Sequence, residues 1–336
     1  MTSTSRPARR GRLKLTTWLG LRDALIGAFA GVLEYAAAQV PRAQRSPAKA
    51  VHEFRKSVRR ARSLLRLIRD FVPSADYTRI DRDLRDALGG ASGLRDADVL
   101  LGTLRGLVVP TPELPAARAA SRLLRAQLAA LRSRKAAPRV LRSGAAKLRG
   151  VVDQLSAALP TALSDERLAR GLSRLFRRAE RALERAREER EEDAIHDWRK
   201  RVKEVRYALE LLTPPTDAGK LPLHQLAADL AEQLGEITDL IILARFLRAA
   251  EKELAPVSAA GLVQSIHREV QRRFTPAARI GVKLHRDPPK ALARAAIAAA
   301  RGPASPLASP GPSALPMASP RPSASPAPDS PSDAQG

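Results

Sequence analysis

The chain has 336 residues, with 59 Lys+Arg against 35 Asp+Glu, a formal net charge of +24. It contains no cysteine, which excludes disulfide frameworks, Cys-ligated zinc, iron–sulfur clusters and cysteine nucleophiles. Two Trp, three Tyr and six Phe are too few for the stacking platforms that hold single strands, so the basic excess points to a polyanion: nucleic acid, a phosphate polymer or an anionic membrane.

In chain order, residues 1–16 read as a loose basic arm with Arg6, Arg9, Arg10, Arg12 and Lys14. ARRGRLK (Ala8 to Lys14) faintly resembles a twin-arginine export signal, but the uncharged run after it, Ala24 to Leu33, is 10 residues, short of a membrane span. The expectation is a chain that is soluble, cytoplasmic and off the membrane. Residues 17–301 show helical periodicity throughout, rich in Leu, Ala, Arg and Glu, with no lasting strand alternation. Breaks at Pro41–Pro47, Val72–Ser74, Val109–Pro115, Ala137–Pro138, Leu159–Thr161, Thr213–Pro222, Ala255–Ser258, Phe274–Pro276 and Asp287–Pro289 predict eight or nine helices with short links, hence bundles. Residues 302–336 are rich in Pro, Ser and Ala and nearly free of positive charge. Too little apolar surface is available there to offset ordering entropy, which predicts a disordered tail.

One segment occurs twice. VHEFRKSVRRARSLLRLI (Val51 to Ile68) returns as IHDWRKRVKEVRYALELL (Ile195 to Leu212), 144 residues later. A second echo aligns ASGLRDADVL (Ala91 to Leu100) with LGEITDLIIL (Leu234 to Leu243), and Asp96 with Asp239. A duplicated unit is the economical reading, with repeat one over about 17–160 and repeat two over about 161–301.

On a helix, the first copy divides into two faces. His52, Arg55, Lys56, Arg59, Arg62 and Arg66 lie on one side, and Phe54, Val58, Ala61, Leu64, Leu65 and Ile68 on the other. In the second copy His196, Arg199, Lys200, Lys203 and Arg206 oppose Trp198, Val202, Val205, Ala208, Leu209 and Leu212. A solvated helix interleaves acids to relieve repulsion, yet the first copy has none from Ser57 to Arg69. Uncompensated like charge is a local conflict of the kind found at functional sites, here an anion-binding face.

The duplicated H-x-x-R-[KR]-x-x-[KR]-x-x-R segment, with its Leu-rich downstream helix carrying Asp96 or Asp239, resembles the CHAD family, the conserved histidine α-helical domain. The resemblance implies an all-α fold over 17–301, in which two four-helix bundles are related by an internal pseudo-twofold about a basic central groove or pore. It implies binding of inorganic polyphosphate and association with polyphosphate granules. Carried over by position, the polyphosphate-binding residues are His52, Arg55, Lys56, Arg59, Arg62, His196, Arg199, Lys200, Lys203 and Arg206. Glu204 stands where repeat one has Arg60, and Glu210 where it has Arg66. The second face is therefore expected to be the less cationic.

The chemistry of the residues agrees. Polyphosphate offers no base to read and needs many donors in a row. Arginine supplies a planar fork and lysine a mobile point charge, repeating about every 5 Å along a helix axis. Nucleic acid remains the weaker alternative partner. A metal-dependent phosphohydrolase is the less favoured reading, since Asp81, Asp83, Asp96, Asp98 and Asp239 more simply cap helices or pair with arginines. His52-Glu53-Phe54-Arg55-Lys56 starts like a zinc-protease helix but ends in lysine. No nucleophile motif or phosphate-binding loop is present, so no cofactor, metal or catalysis is expected.

Overall fold

The computed structural model describes residues 20–89, 93–133, 136–212 and 222–301. The basic arm at 1–16, the tail at 302–336 and the side chain of Asp96 lie outside the described residues.

The described residues are helical, with no strand among them. The helices are α1 (Leu21–Ala37), α2 (Gln39–Arg42), α3 (Pro47–Leu67), α4 (Ser74–Asp86), α5 (Gly93–Gly106), α6 (Leu114–Ser133) and α7 (Ala136–Lys147). They continue with α8 (Val151–Ala158), α9 (Asp165–Glu189), α10 (Glu192–Leu212), α11 (Pro222–Ala249), α12 (Glu251–Leu254), α13 (Ala260–Leu284) and α14 (Pro289–Arg301). The all-α class expected from the sequence is therefore observed, although the chain divides more finely than eight or nine helices. Local chemistry explains the starts. Pro47 opens α3 at a position where its missing N–H costs nothing. Ser164 caps α9 by accepting a hydrogen bond from the Arg167 N–H, with Asp165 and Glu166 in the first turn.

One sequence expectation fails here. Phe274–Pro276 is not a break, because α13 runs through Pro276. Phe274 and Ala277 are both buried, and their packing outweighs the one lost backbone bond. Leu21–Arg42 is, by length and composition, apolar enough to cross a membrane, which the interrupted run at Ala24–Leu33 had not suggested. In the fold its Leu25, Phe29, Val32 and Ala36 are fully buried in the core.

The repeated segments become α3 and α10. Every apolar position assigned to them is at most 2 % exposed. α10 packs on α9 and α11, α11 on α13, and α14 on α9; α3 packs on α1, α4, α5 and α7. α3 also meets α10, and α5 meets α11. The motif aromatic is anchored alike in both copies. Phe54 lies against Gly144, where a Cβ would fall 2.8 Å from its Cζ, and Trp198 lies against Gly281, where a Cβ would fall 2.6 Å from its Cζ2. Only glycine permits either approach.

The α3–α10 junction is held by ions. Arg60 donates from Nη2 to both carboxylate oxygens of Glu210, at 3.0 and 3.2 Å. Arg66 Nη1 lies 3.1 Å from Glu204. Adding the repeat offset of 144 turns position 60 into 204 and 66 into 210, so each pair is the other with the two copies exchanged.

Candidate functional site

The basic residues of α3 and α10 are held by the apolar faces beneath them, and the two helices meet at the ion pairs just described. Beside that junction lies a cleft of about 480 Å³. Arg59, Arg62 and Arg66 reach it from α3, and His196, Arg199, Lys200 and Lys203 from α10. Six of the ten residues expected at the site thus share one cavity. His52, Arg55, Lys56 and Arg206 do not line it.

The four outside it belong to a neighbouring part of the same two helices. Burial first, then the Arg60 and Arg206 charges, push the Lys56 ammonium below its usual pKa, against the opposing pull of Glu53 and Glu210. Lys56 therefore stands in the field of both copies. Glu53 lies 3.7 Å from both His52 and Lys56. Arg206 is half-buried, and its Nε has no hydrogen-bond partner among the described residues.

The cleft contains residues that helical-wheel reasoning missed. Arg66 is on the cationic face but was not among the ligand positions, and Ser63, Tyr207 and Arg201 also line the cavity. Arg201 is tied to Asp197 at 3.1 Å and to Glu204 at 3.3 Å. The two acids expected to dilute the second face, Glu204 and Glu210, take different places. Both are buried: Glu210 pairs with Arg60 of the first copy, whereas Glu204 lines the cleft and is shared among Arg66 of the first copy and Arg178 and Arg201 of the second. A wheel angle cannot show that a stretch of the face is covered by another helix.

Arg62 is also constrained. Its Nε and Nη2 donate to Asp81 at 2.8 and 3.1 Å, and Arg85 bonds the same carboxylate. Burial alone would raise the Asp81 pKa, but the bonds from Arg62 and Arg85 lower it below the usual carboxylate value. Asp81 is thus an arginine partner, and the described residues hold no cluster of His, Asp or Glu suited to a metal.

His196 is half-buried at the start of this face. Desolvation, then Lys200 and Arg199, push its imidazole below the usual value, with only Asp193 opposing. It is the neutral end of the row at physiological pH, able to gain charge when an anion arrives. The acidic residues just before it, Glu192 and Asp193, are bound by Arg245 and Arg248 of α11 and close that end of the basic surface. His285, outside the motif, is a packing residue. It sits edge-on to Phe176, and burial lowers its pKa to about 4.

A family model described as the CHAD domain matches residues 27–248, which include both basic helices. The chain belongs to the CHAD family. Among solved structures, the CHAD domain from the plant Ricinus communis shares the fold, with a TM-score of 0.54 and 19 % sequence identity over 88 % of this chain and 97 % of that one. No curated protein matches the chain. The family model stops short of α13 and α14 of this CHAD protein.

Proposed function

We propose that this CHAD protein binds inorganic polyphosphate without cleaving it, in a central basic groove between two four-helix bundles related by a pseudo-twofold axis. The single observation that carries the reading is the cleft where eight basic side chains from the two copies of one motif meet. The exchange-related pairs Arg60–Glu210 and Arg66–Glu204 support the pseudo-twofold. A linear polyanion fits better than a compact one, because the donors are spread along two helices rather than aimed at one point. Counterion release supplies much of the affinity, as it does for nucleic acids. The expected setting is the cytoplasm, on polyphosphate granules, with nucleic acid a weaker competitor.

Competition tests this. Long-chain polyphosphate should displace a fluorescent DNA duplex at far lower phosphate concentration than DNA displaces labelled polyphosphate. The reverse order would make the protein a nucleic-acid binder. Release of phosphate in the presence of Mg²⁺ or Mn²⁺ would overturn the non-enzymatic part.

A further inference from the structure

A second cationic cleft lies between α9 and α14. It encloses about 380 Å³, and five cations line it, Arg170, Arg174, Arg177, Lys290 and Arg294, against two carboxylates, Asp70 and Glu166. Asp70 is already taken, because Arg174 donates to it at 2.8 and 2.7 Å. Arg170, Arg177, Lys290 and Arg294 are exposed and face Glu166 alone among the remaining lining carboxylates.

Two further features separate this cleft from an ordinary solvated surface. First, α9 has no acid between Glu166 and Glu180, and α14 has none at all, although the two helices pack together. Cations facing cations across a cleft repel unless an anion sits between them. Second, Ser173 lines the cleft, is 4 % exposed, and its hydroxyl has no hydrogen-bond partner among the described residues. The helical hydroxyls of Ser57, Ser63, Thr103 and Thr238 all bond the carbonyl one turn back. Ser173 keeps a free donor where the arginines converge.

This cleft adjoins the central one. Arg174 Nη2 donates to the backbone carbonyl of Arg66 at 3.2 Å, and Arg66 lines the central cleft. The end of α3 is therefore the wall between the two.

We propose that the α9–α14 cleft is a second phosphate-binding subsite, which a long polyphosphate engages as it passes Arg66 and which a short phosphate oligomer fills independently. The continuity of the two rests on the function proposed above; the anion site itself does not. Linking the two subsites through one ligand raises long-chain affinity without any new contact. The protein would then favour long chains over short ones.

The test is calorimetric titration of the full chain with tripolyphosphate and with long-chain polyphosphate. Three variants are compared: Arg170→Ala/Lys290→Ala/Arg294→Ala in the cleft, Arg199→Ala/Lys203→Ala in the central site, and Arg181→Ala/Arg185→Ala/Arg187→Ala as a charge-matched control farther along α9. Tripolyphosphate should bind the unmodified protein at two sites and each site variant at one. The cleft variant should lose about tenfold or more in long-chain affinity, and the control at most about threefold. All substituted cleft residues are exposed, so thermal unfolding should be unchanged. If the cleft variant keeps both tripolyphosphate sites, or the control loses as much as the cleft variant, the subsite does not exist. If the central variant keeps its long-chain affinity while the cleft variant loses a site, the groove reading fails and the cleft stands.

Discussion

The two copies of the basic helix differ most where they touch. α3 carries Arg60 and Arg66, and α10 carries Glu204 and Glu210 at the matching positions. Had both copies kept arginine, the junction would bury like charges against each other at a severe electrostatic cost. The two copies instead carry opposite signs at these positions, which two copies within one chain allow. The acids hold the junction, and arginines and lysines about one turn away line the cleft beside it. The two copies therefore contribute unequally to the junction and to the cleft. α10 gives the cleft His196, Arg199, Lys200, Arg201 and Lys203, with Arg201 bonded to Asp197 and Glu204, whereas α3 gives Arg59, Arg62 and Arg66, of which two are bonded to acids.

The sharpest way to break that comparison is at the junction. Glu210→Ala leaves the Arg60 guanidinium buried without its carboxylate and should cost about 3–5 kcal/mol in urea unfolding. The double change Arg60→Met/Glu210→Leu should return stability to within about 1 kcal/mol of the unmodified protein or above it. A single-site loss below about 1 kcal/mol would show that the junction does not hold the two copies together. Glu204→Ala should cost less than Glu210→Ala, since its partners Arg66, Arg178 and Arg201 are partly solvated.

Binding sharpens the comparison next. Arg199→Ala/Lys203→Ala should reduce polyphosphate affinity by about 100-fold and Arg55→Ala/Arg59→Ala by about 10-fold, taking roughly 1.5–3 kcal/mol per charged hydrogen bond lost. The salt dependence should flatten by about 0.7–0.9 per lost contact if the nucleic-acid value transfers. Equal losses, or a larger loss from α3, would contradict the unequal division. Arg62→Ala should lower affinity less than Arg199→Ala and the unfolding midpoint more, because Asp81 already holds the Arg62 fork.

A smaller effect is expected from pH. The His196 pKa is depressed in the free protein and rises once polyphosphate neutralises Lys200 and Arg199. Binding then takes up a proton, so affinity should increase as pH falls from about 7.5 to about 5.5, and His196→Gln should flatten that rise. Affinity that falls on acidification would place His196 away from the ligand. The smallest effect, under about threefold, is expected from alanine at Arg6, Arg9 and Arg10. A loss there to match the helix variants would reduce the groove to general attraction by a net charge of +24.

Much of this was legible in the sequence, for reasons that are local. The 3.6-residue period separates Phe54, Val58 and Ala61 from Arg55 and Arg59 without any tertiary knowledge. The repeat named the two helices that must be equivalent. What the sequence did not reveal depends on which helices meet. Nothing in the spacing says that Glu210 faces Arg60 from 150 residues away, or that Asp81 captures Arg62. Arg170 and Lys290 lie on separate helices, and only their packing places them in one cleft. Pro276 was misread because a local breaking tendency was overridden by the burial of its neighbours.

The aromatic wedges against Gly144 and Gly281 have a mechanical consequence. A polyanion pulling on a row of arginines along one side of a helix exerts a torque that would roll the helix about its own axis. Each residue subtends about 100° of that axis, so a roll of even a fraction of this would carry Arg59 or Arg199 out of line with its neighbours. Phe54 and Trp198 sit opposite those rows, each keyed into a notch that a single added methyl would fill. They act as keyways that lock the azimuth of each basic row against α7 and α13, so a load on either row would pass into those neighbouring helices.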